Sequence, residues 1–175
     1  TVIGGGMNVK AALAETVIVG QAAGAGVSGS NSTFVGFSAG NATNSGNDLT
    51  ALGHGTLRTN TGSYNTAGGY YSLASNTTGY NNTATGMNSL LSNTIGDYNT
   101  ALGNDALKTN TTGVQNAASG NQALYNNTTG SYNTANGVNS LYSNTTGSYN
   151  TAFGNAALNA NTTGTYNNAH GKNSL

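Results

Sequence analysis

The sequence predicts an all-β chain wound as a parallel β-solenoid, and three observations carry that prediction. A word recurs: YNTALGNDALKTNTTG at residues 98–113, YNTANGVNSLYSNTTG at 132–147 and YNTAFGNAALNANTTG at 149–164. Two glycine columns keep step with it. Within each word, constant and variable residues alternate with period two, the signature of a strand rather than a helix.

The first glycine column sets the period. Gly69, Gly86, Gly103, Gly120, Gly137, Gly154 and Gly171 are 17 residues apart, and Gly4, Gly20, Gly36 and Gly53 continue it upstream in steps of 16 or 17. The second column, Gly62, Gly79, Gly96, Gly113, Gly130, Gly147 and Gly164, precedes the first by seven, with Gly29 and Gly46 extending it. A fixed period of this size is the mark of a repeat architecture. It is too short for two packed helices, and its Asn, Thr and Gly content opposes helix. It suits one coil of a solenoid whose strands pair with the coils above and below. About eleven coils of 16–17 residues are expected, forming a rod on the order of 50 Å long.

Other columns assign faces. Ala51, Ala67, Ala84, Ala101, Ala118, Ala135, Ala152 and Ala169 stand two before the glycine; Asn65, Asn82, Asn99, Asn116, Asn133, Asn150 and Asn167 stand two before those. In N-T-A-x-G the Asn and Ala share the inward face. The residue next to the glycine varies freely, as Leu102, Ser119, Asn136, Phe153 and His170 do, and faces out. Four after the glycine stand Leu57, Leu73, Leu90, Leu107, Leu124, Leu141, Leu158 and Leu175, anchoring an expected second strand such as ALKT at 106–109. Strands of four to six residues are expected, closed by glycine turns that accept positive φ. NTTG at 110–113 reads as a turn. Residues 1–175 form one repetitive domain, with irregular opening coils at 1–28 and regular repeats at 29–175. MNVKAALAE at 7–15 reads as a short helix or a loop. The chain reads as a fragment of a longer fibrous protein.

Composition excludes several function classes. The 175 residues carry four basic, four acidic and two histidine side chains, for a formal net charge of zero, with no cysteine and no proline. Phosphate recognition needs a basic patch, and none exists. Without cysteine there is no disulfide frame or thiolate metal site. No apolar run approaches the roughly 18 residues a membrane helix requires. Catalysis needs convergent titratable groups. His54 and His170 lie seven coils apart in variable, outward positions and read as solvated surface residues. Asp97 and Asp105 share a coil but flank different turns, too sparse for a catalytic pair or a strong Ca²⁺ site. GGG at 4–6 lacks the Lys-Ser/Thr of a phosphate loop. No enzyme, cofactor or metal is expected.

Tyrosines form the most suggestive surface feature. Tyr64, Tyr98, Tyr132, Tyr149 and Tyr166 recur five before the glycine, and Tyr125 and Tyr142 recur elsewhere. Tyr beside Asn and Thr is good chemistry for contact with a carbohydrate or another surface, because rings stack while amides hydrogen-bond. Packing between coils or neighbouring chains is the competing role. Tyr98, Tyr125, Tyr132, Tyr142, Tyr149 and Tyr166 are the candidate contact residues. Sequons stand at Asn31, Asn41, Asn76, Asn81, Asn110, Asn126, Asn127, Asn144 and Asn161; a repeating NTT makes sequons automatically, and glycosylation in a glycosylating host is the competing reading.

Burying one Leu and one Ala per coil falls well short of the entropy of ordering a whole coil. Ladder hydrogen bonds, stacked Asn and a further packed face must contribute. A homo-oligomer, a trimer foremost, is expected.

The two-glycine unit ending N-T-A-L-G resembles the head repeat of trimeric autotransporter adhesins, the YadA-like left-handed β-roll. Counting back from Gly103, Leu102 matches the Ile, Ala101 the Ala, Thr100 the Val and Asn99 the Ser of that family's N-S-V-A-I-G pattern. The segment Gly96–Gly103 has the family's length; Gly103–Gly113 is longer. Similar coils occur in phage tail fibres. The resemblance covers residues 29–175 and implies left-handedness, a trimer, and an extracellular location on a cell surface or virion. The expected function is a structural and adhesive fibre segment presenting a surface to cell-surface or glycan receptors. The alternative is an ice-binding solenoid using stacked Thr such as Thr111, Thr128, Thr145 and Thr162.

Overall fold

A computed structural model of the chain describes residues 15–42 and 44–175. Ten three-residue strands follow one another: β1 Val17–Val19, β2 Thr33–Val35, β3 Thr50–Leu52, β4 Thr66–Gly68, β5 Thr83–Thr85, β6 Thr100–Leu102, β7 Ala117–Ser119, β8 Thr134–Asn136, β9 Thr151–Phe153 and β10 Asn168–His170. They form one sheet in sequence order. Every strand pairs in parallel with the next, so that Ala67, Ala84, Ala101, Ala118, Ala135 and Ala152 lie on one line. This is a parallel β-solenoid. Ten strands make nine inter-coil steps, about 43 Å of rod. The expected coil at Gly4 and most of 7–15 lie outside the described residues. The ladder already begins within the segment expected to be irregular, where Ile18 pairs with Phe34.

The strands are shorter than expected, and each coil has one, not two. Left-handed residues bound each strand: Tyr98 has φ +56° and Gly103 φ +145°. The expected strand at 106–109 is a turn, because Asp105 (φ +55°) and Leu107 (φ +51°) continue the alternation of left-handed residues begun at Gly103. The backbone still pairs between coils. Asp105 N–H donates to the Met87 carbonyl at 2.9 Å on one side, and Leu107 N–H to that of Ala123 at 3.0 Å on the other. Alternating hydrogen-bond direction leaves the same period-two sequence pattern as a strand, so the pattern alone does not separate the two.

An L residue in the left-handed region costs about 1–2 kcal/mol. At Leu107 that cost is offset by a completely buried side chain. Ala156, half-buried at φ +54°, has no comparable compensation. Ala156→Gly is expected to stabilise by about 0.5–1 kcal/mol, the relieved strain exceeding the added unfolded-state entropy. An unchanged or lowered urea midpoint would contradict this.

Asn99, Ala101, Ala106, Leu107 and Asn110, each 0 % exposed, fill the interior of the β6 coil. Asn110 corrects the reading of NTTG as only a turn. The first coils lack the Leu because volume is exchanged. Phe34 and Ile18 occupy the Ala position, while Gly40 and Gly24 occupy the Leu position, where a Cβ would run into those side chains. Total volume is thereby preserved, which is what a packed core tolerates.

The two glycine columns exist for different reasons. Gly103 has a φ open almost only to glycine, and a Cβ there would strike the Gly120 carbonyl oxygen. Gly113 has no such φ. A Cβ there would meet the Gly130 carbonyl oxygen and Asn110 Oδ1.

Candidate contact surfaces

Two asparagine ladders, buried except at Asn161 and Asn167, run along the rod. In the first, Asn93, Asn110, Asn127, Asn144 and Asn161 each donate Nδ2–H to the Oδ1 of the Asn in the preceding coil, at 2.7–2.9 Å. Each also donates to the glycine carbonyl three residues on, at 2.9–3.1 Å. In the second, the backbone N–H of Asn82, Asn99, Asn116, Asn133, Asn150 and Asn167 donates to the preceding Asn Oδ1 at 2.9–3.0 Å. The ladders converge on glycine carbonyls: that of Gly113 accepts from Asn99 Nδ2 at 2.9 Å and Asn110 Nδ2 at 3.0 Å. A buried amide is expensive unless paired, and these are paired in register.

This burial decides which sequons are accessible. Asn76, Asn110, Asn127 and Asn144 have no exposed surface, so their amides are closed to glycosylation. Asn31 and Asn81 are exposed; Asn41, Asn126 and Asn161 are half-buried.

The Thr column is committed to the rod. Thr94, Thr111, Thr128 and Thr145 donate their hydroxyl hydrogens to the carbonyl of the next Thr in the column, at 3.0–3.1 Å. Their one donor is therefore unavailable to bound water.

Candidate tyrosines fall into three groups. Tyr132, Tyr149 and Tyr166 stack in parallel, with centroids 4.8 and 4.9 Å apart and planes within 3° and 4°. Rings so arranged cover much of one another's faces and leave rims and hydroxyls outward. Tyr125 and Tyr142, half-buried, form a separate stack at 5.2 Å. The Lys108 ammonium lies 5.2 Å from the Tyr125 centroid and 3.1 Å from Asp105 Oδ1. Its hydrogen bond to Asp105 first, and that to Tyr125 after the opposing effect of burial, raise its pKa above the ordinary lysine value. Tyr98 stands apart from the triple stack and meets Tyr80 edge-on at 5.2 Å, with Gln115 intervening in its column. The hydrogen bond with Tyr98, and then the Asp97 charge, raise the Tyr80 phenol above its usual range. Asp97 also accepts the Tyr80 N–H at 2.9 Å.

His54 is not the solvated residue the sequence predicts. Its ring lies 5.0 Å from Phe37, 5.0 Å from Tyr70 and 5.2 Å from Tyr71, and Tyr70 and Tyr71 meet at 4.4 Å. Phe37, His54, Tyr70 and Met87 occupy one column, next after the glycine, in four successive coils. Asn104, Asn121, Val138, Asn155 and Lys172 stand there in later coils. That departure from the repeat was the available signal, obscured by reading columns for what they share. At the far end His170 stacks on Phe153 at 5.2 Å.

Among the described residues no three His, Cys, Asp or Glu side chains are grouped to hold a metal, no surface cavity occurs, and no helix is long and apolar enough to cross a membrane. The chain matches no known protein family, no characterised protein and no solved structure.

Proposed function

We propose that this chain is a non-catalytic structural and adhesive segment of an extracellular fibre, a surface-exposed trimeric adhesin or a virion tail fibre. It extends from the cell or particle and presents its side to cell-surface or glycan receptors. The observation that carries this reading is the partition of each coil. Asn, Ala and Leu repeat almost without change inside, while the outward strand position changes from Leu52 to Thr85, Leu102, Asn136, Phe153 and His170. Such a partition fixes a frame and varies a surface.

The same face supports the homotrimer of this reading. Val17, Val19, Leu52, Leu102 and Phe153 are 39–53 % exposed on the outward side of the strands, apolar area that a second copy would cover. Light scattering of the purified chain is expected to give three times the 17.4 kDa chain mass. A 17.4 kDa species at tens of micromolar would overturn the trimer.

A second reading, an ice-binding solenoid, is supported by Thr50, Thr66, Thr83, Thr100, Thr134 and Thr151 in register on the outer strand face. It ranks second because Ala117 interrupts the column and the neighbouring outward position ranges from Gly68 to Phe153, leaving an uneven surface. The fibre reading predicts no thermal hysteresis; its presence would favour the second.

A further inference from the structure

The aromatic cluster around His54 departs from the repeat in two ways that act together. One column carries Phe37, His54, Tyr70 and Met87 where four of the five later coils carry Asn or Lys and one carries Val138. The column beside it, which elsewhere carries small or polar residues such as Ser38, Asn88, Asp105, Gln122 and Ala156, has Gly55 followed by Tyr71. Gly55 makes room for that ring: a Cβ there would meet Tyr71 Cε1 and Cδ1. Tyr71 in turn packs on His54 and Tyr70. Nothing in the frame demands this, since the other coils close without it.

Inclination separates this cluster from the tyrosine stack. Phe37 and His54 are inclined at 67°, and His54 and Tyr70 at 64°. Rings so tilted cannot cover one another face to face, so the end rings keep ring surface open. Phe37 is 50 % and Tyr70 47 % exposed. In the parallel stack the inner ring, Tyr149, has a neighbour on both faces, and open faces are left only at the two ends, Tyr132 and Tyr166.

We propose that Phe37, His54 and Tyr70 form a contact platform for a neutral polysaccharide, positioned by Gly55 and Tyr71. This rests on the fibre reading and names where its glycan receptor sits. A pyranose turns one face of C–H hydrogens against the negative face of an aromatic ring, while its hydroxyls remain free for amides. The rings supply the first part; the adjoining Asn88, whose backbone N–H donates to the Tyr70 carbonyl at 2.8 Å and whose Nδ2 donates to Asp105 Oδ1 at 3.1 Å, supplies its side-chain oxygen as an acceptor for a sugar hydroxyl. His54 apart, the cluster holds no acidic or basic side chain, which suits an uncharged ligand and disfavours a sulfated or nucleic-acid one. Without a cavity, the site fits an extended chain lying across the rod rather than an enclosed small molecule.

Affinity electrophoresis of the intact chain through gels containing xyloglucan, galactomannan, laminarin or dextran tests this. At least one polysaccharide is expected to retard the protein. F37A/Y70A should weaken that retardation at least tenfold. Gly55→Asn, which keeps every ring but displaces Tyr71, should weaken it about threefold or more. Tyr70→Phe should retain binding and Tyr70→Leu should lose it. The triple variant Y132A/Y149A/Y166A should stay within twofold of wild type. Matching circular dichroism and melting confirm that each variant is folded. No retardation by any of the four, retained binding in folded F37A/Y70A, or loss only in the triple variant would overturn the proposal. The fibre reading is judged separately, by mass and shape.

Discussion

Replacing Gly103 by alanine is expected to destabilise the chain by about 4 kcal/mol, combining backbone strain and overpacking. At φ +145° the added Cβ points into the Gly120 carbonyl oxygen of the next coil. That oxygen cannot retreat, because the inter-coil spacing is fixed by the strand pairing Leu102–Ser119. Relief would require breaking register at β6–β7, in mid-rod. Gly68 supplies the control. It lies in a strand without positive φ, and a Cβ there would meet Thr85 only at an ordinary 3.9 Å. Gly68→Ala is therefore expected to change stability by less than about 0.5 kcal/mol. Equal urea midpoints for the two variants would refute this account of the glycine column.

The second large effect is expected at Asn99. Its Oδ1 accepts the Asn116 N–H at 3.0 Å, and its Nδ2 donates to the Gly113 carbonyl at 2.9 Å, with no exposed surface. Asn99→Ala strands a buried donor and opens a void, at a cost of about 2–4 kcal/mol. Asn99→Asp is more diagnostic. At neutral pH it keeps the acceptor but turns a charged oxygen towards the Gly113 carbonyl. Burial pushes the pKa of such a carboxyl up in the folded state, above the unfolded value of about 3.9. A group whose folded pKa is raised holds its proton more tightly when folded, so stability is greatest below pH ~4 and falls as pH rises through the folded pKa. The protonated acid can donate to Gly113 again. Denaturation of Asn99→Asp should therefore show stability improving towards acid relative to wild type. A parallel pH dependence of the two proteins would contradict the ladder geometry.

Much of the frame was legible because repetition converts weak signals into columns. A lone Asn or Ala says little about burial, but Asn99 and Ala101 recurring with variable neighbours mark an inside and an outside, and both are buried. Three features were hidden for physical reasons. Left-handed residues at Asp105 and Leu107 alternate in hydrogen-bond direction as a strand does, so sequence periodicity does not distinguish the turn from a strand. Asn110 belongs to a residue type and word that favour turns, yet a continuous ladder satisfies its amide in the core. The exchange of Phe34 against Gly40 conserves volume, which no single column reveals.

The surface was less legible than the frame. A tyrosine column predicts a ring at every coil rise but not its inclination. Inclination decides whether neighbouring rings cover one another's faces: Tyr132 and Tyr149 lie 3° apart, whereas Phe37 and His54 lie at 67°. The aromatic cluster draws on two columns and on a glycine whose meaning depends on its neighbour Tyr71.

The central claim is that a chain poor in large apolar residues is an ordered rod held by register. Small-angle X-ray scattering tests it most directly. Ordered coils predict a radius of gyration below about 20 Å, whether one rod or three lie side by side, and an axial extent near 45 Å. A radius of gyration near 44 Å, that of an unfolded chain of this length, would contradict it.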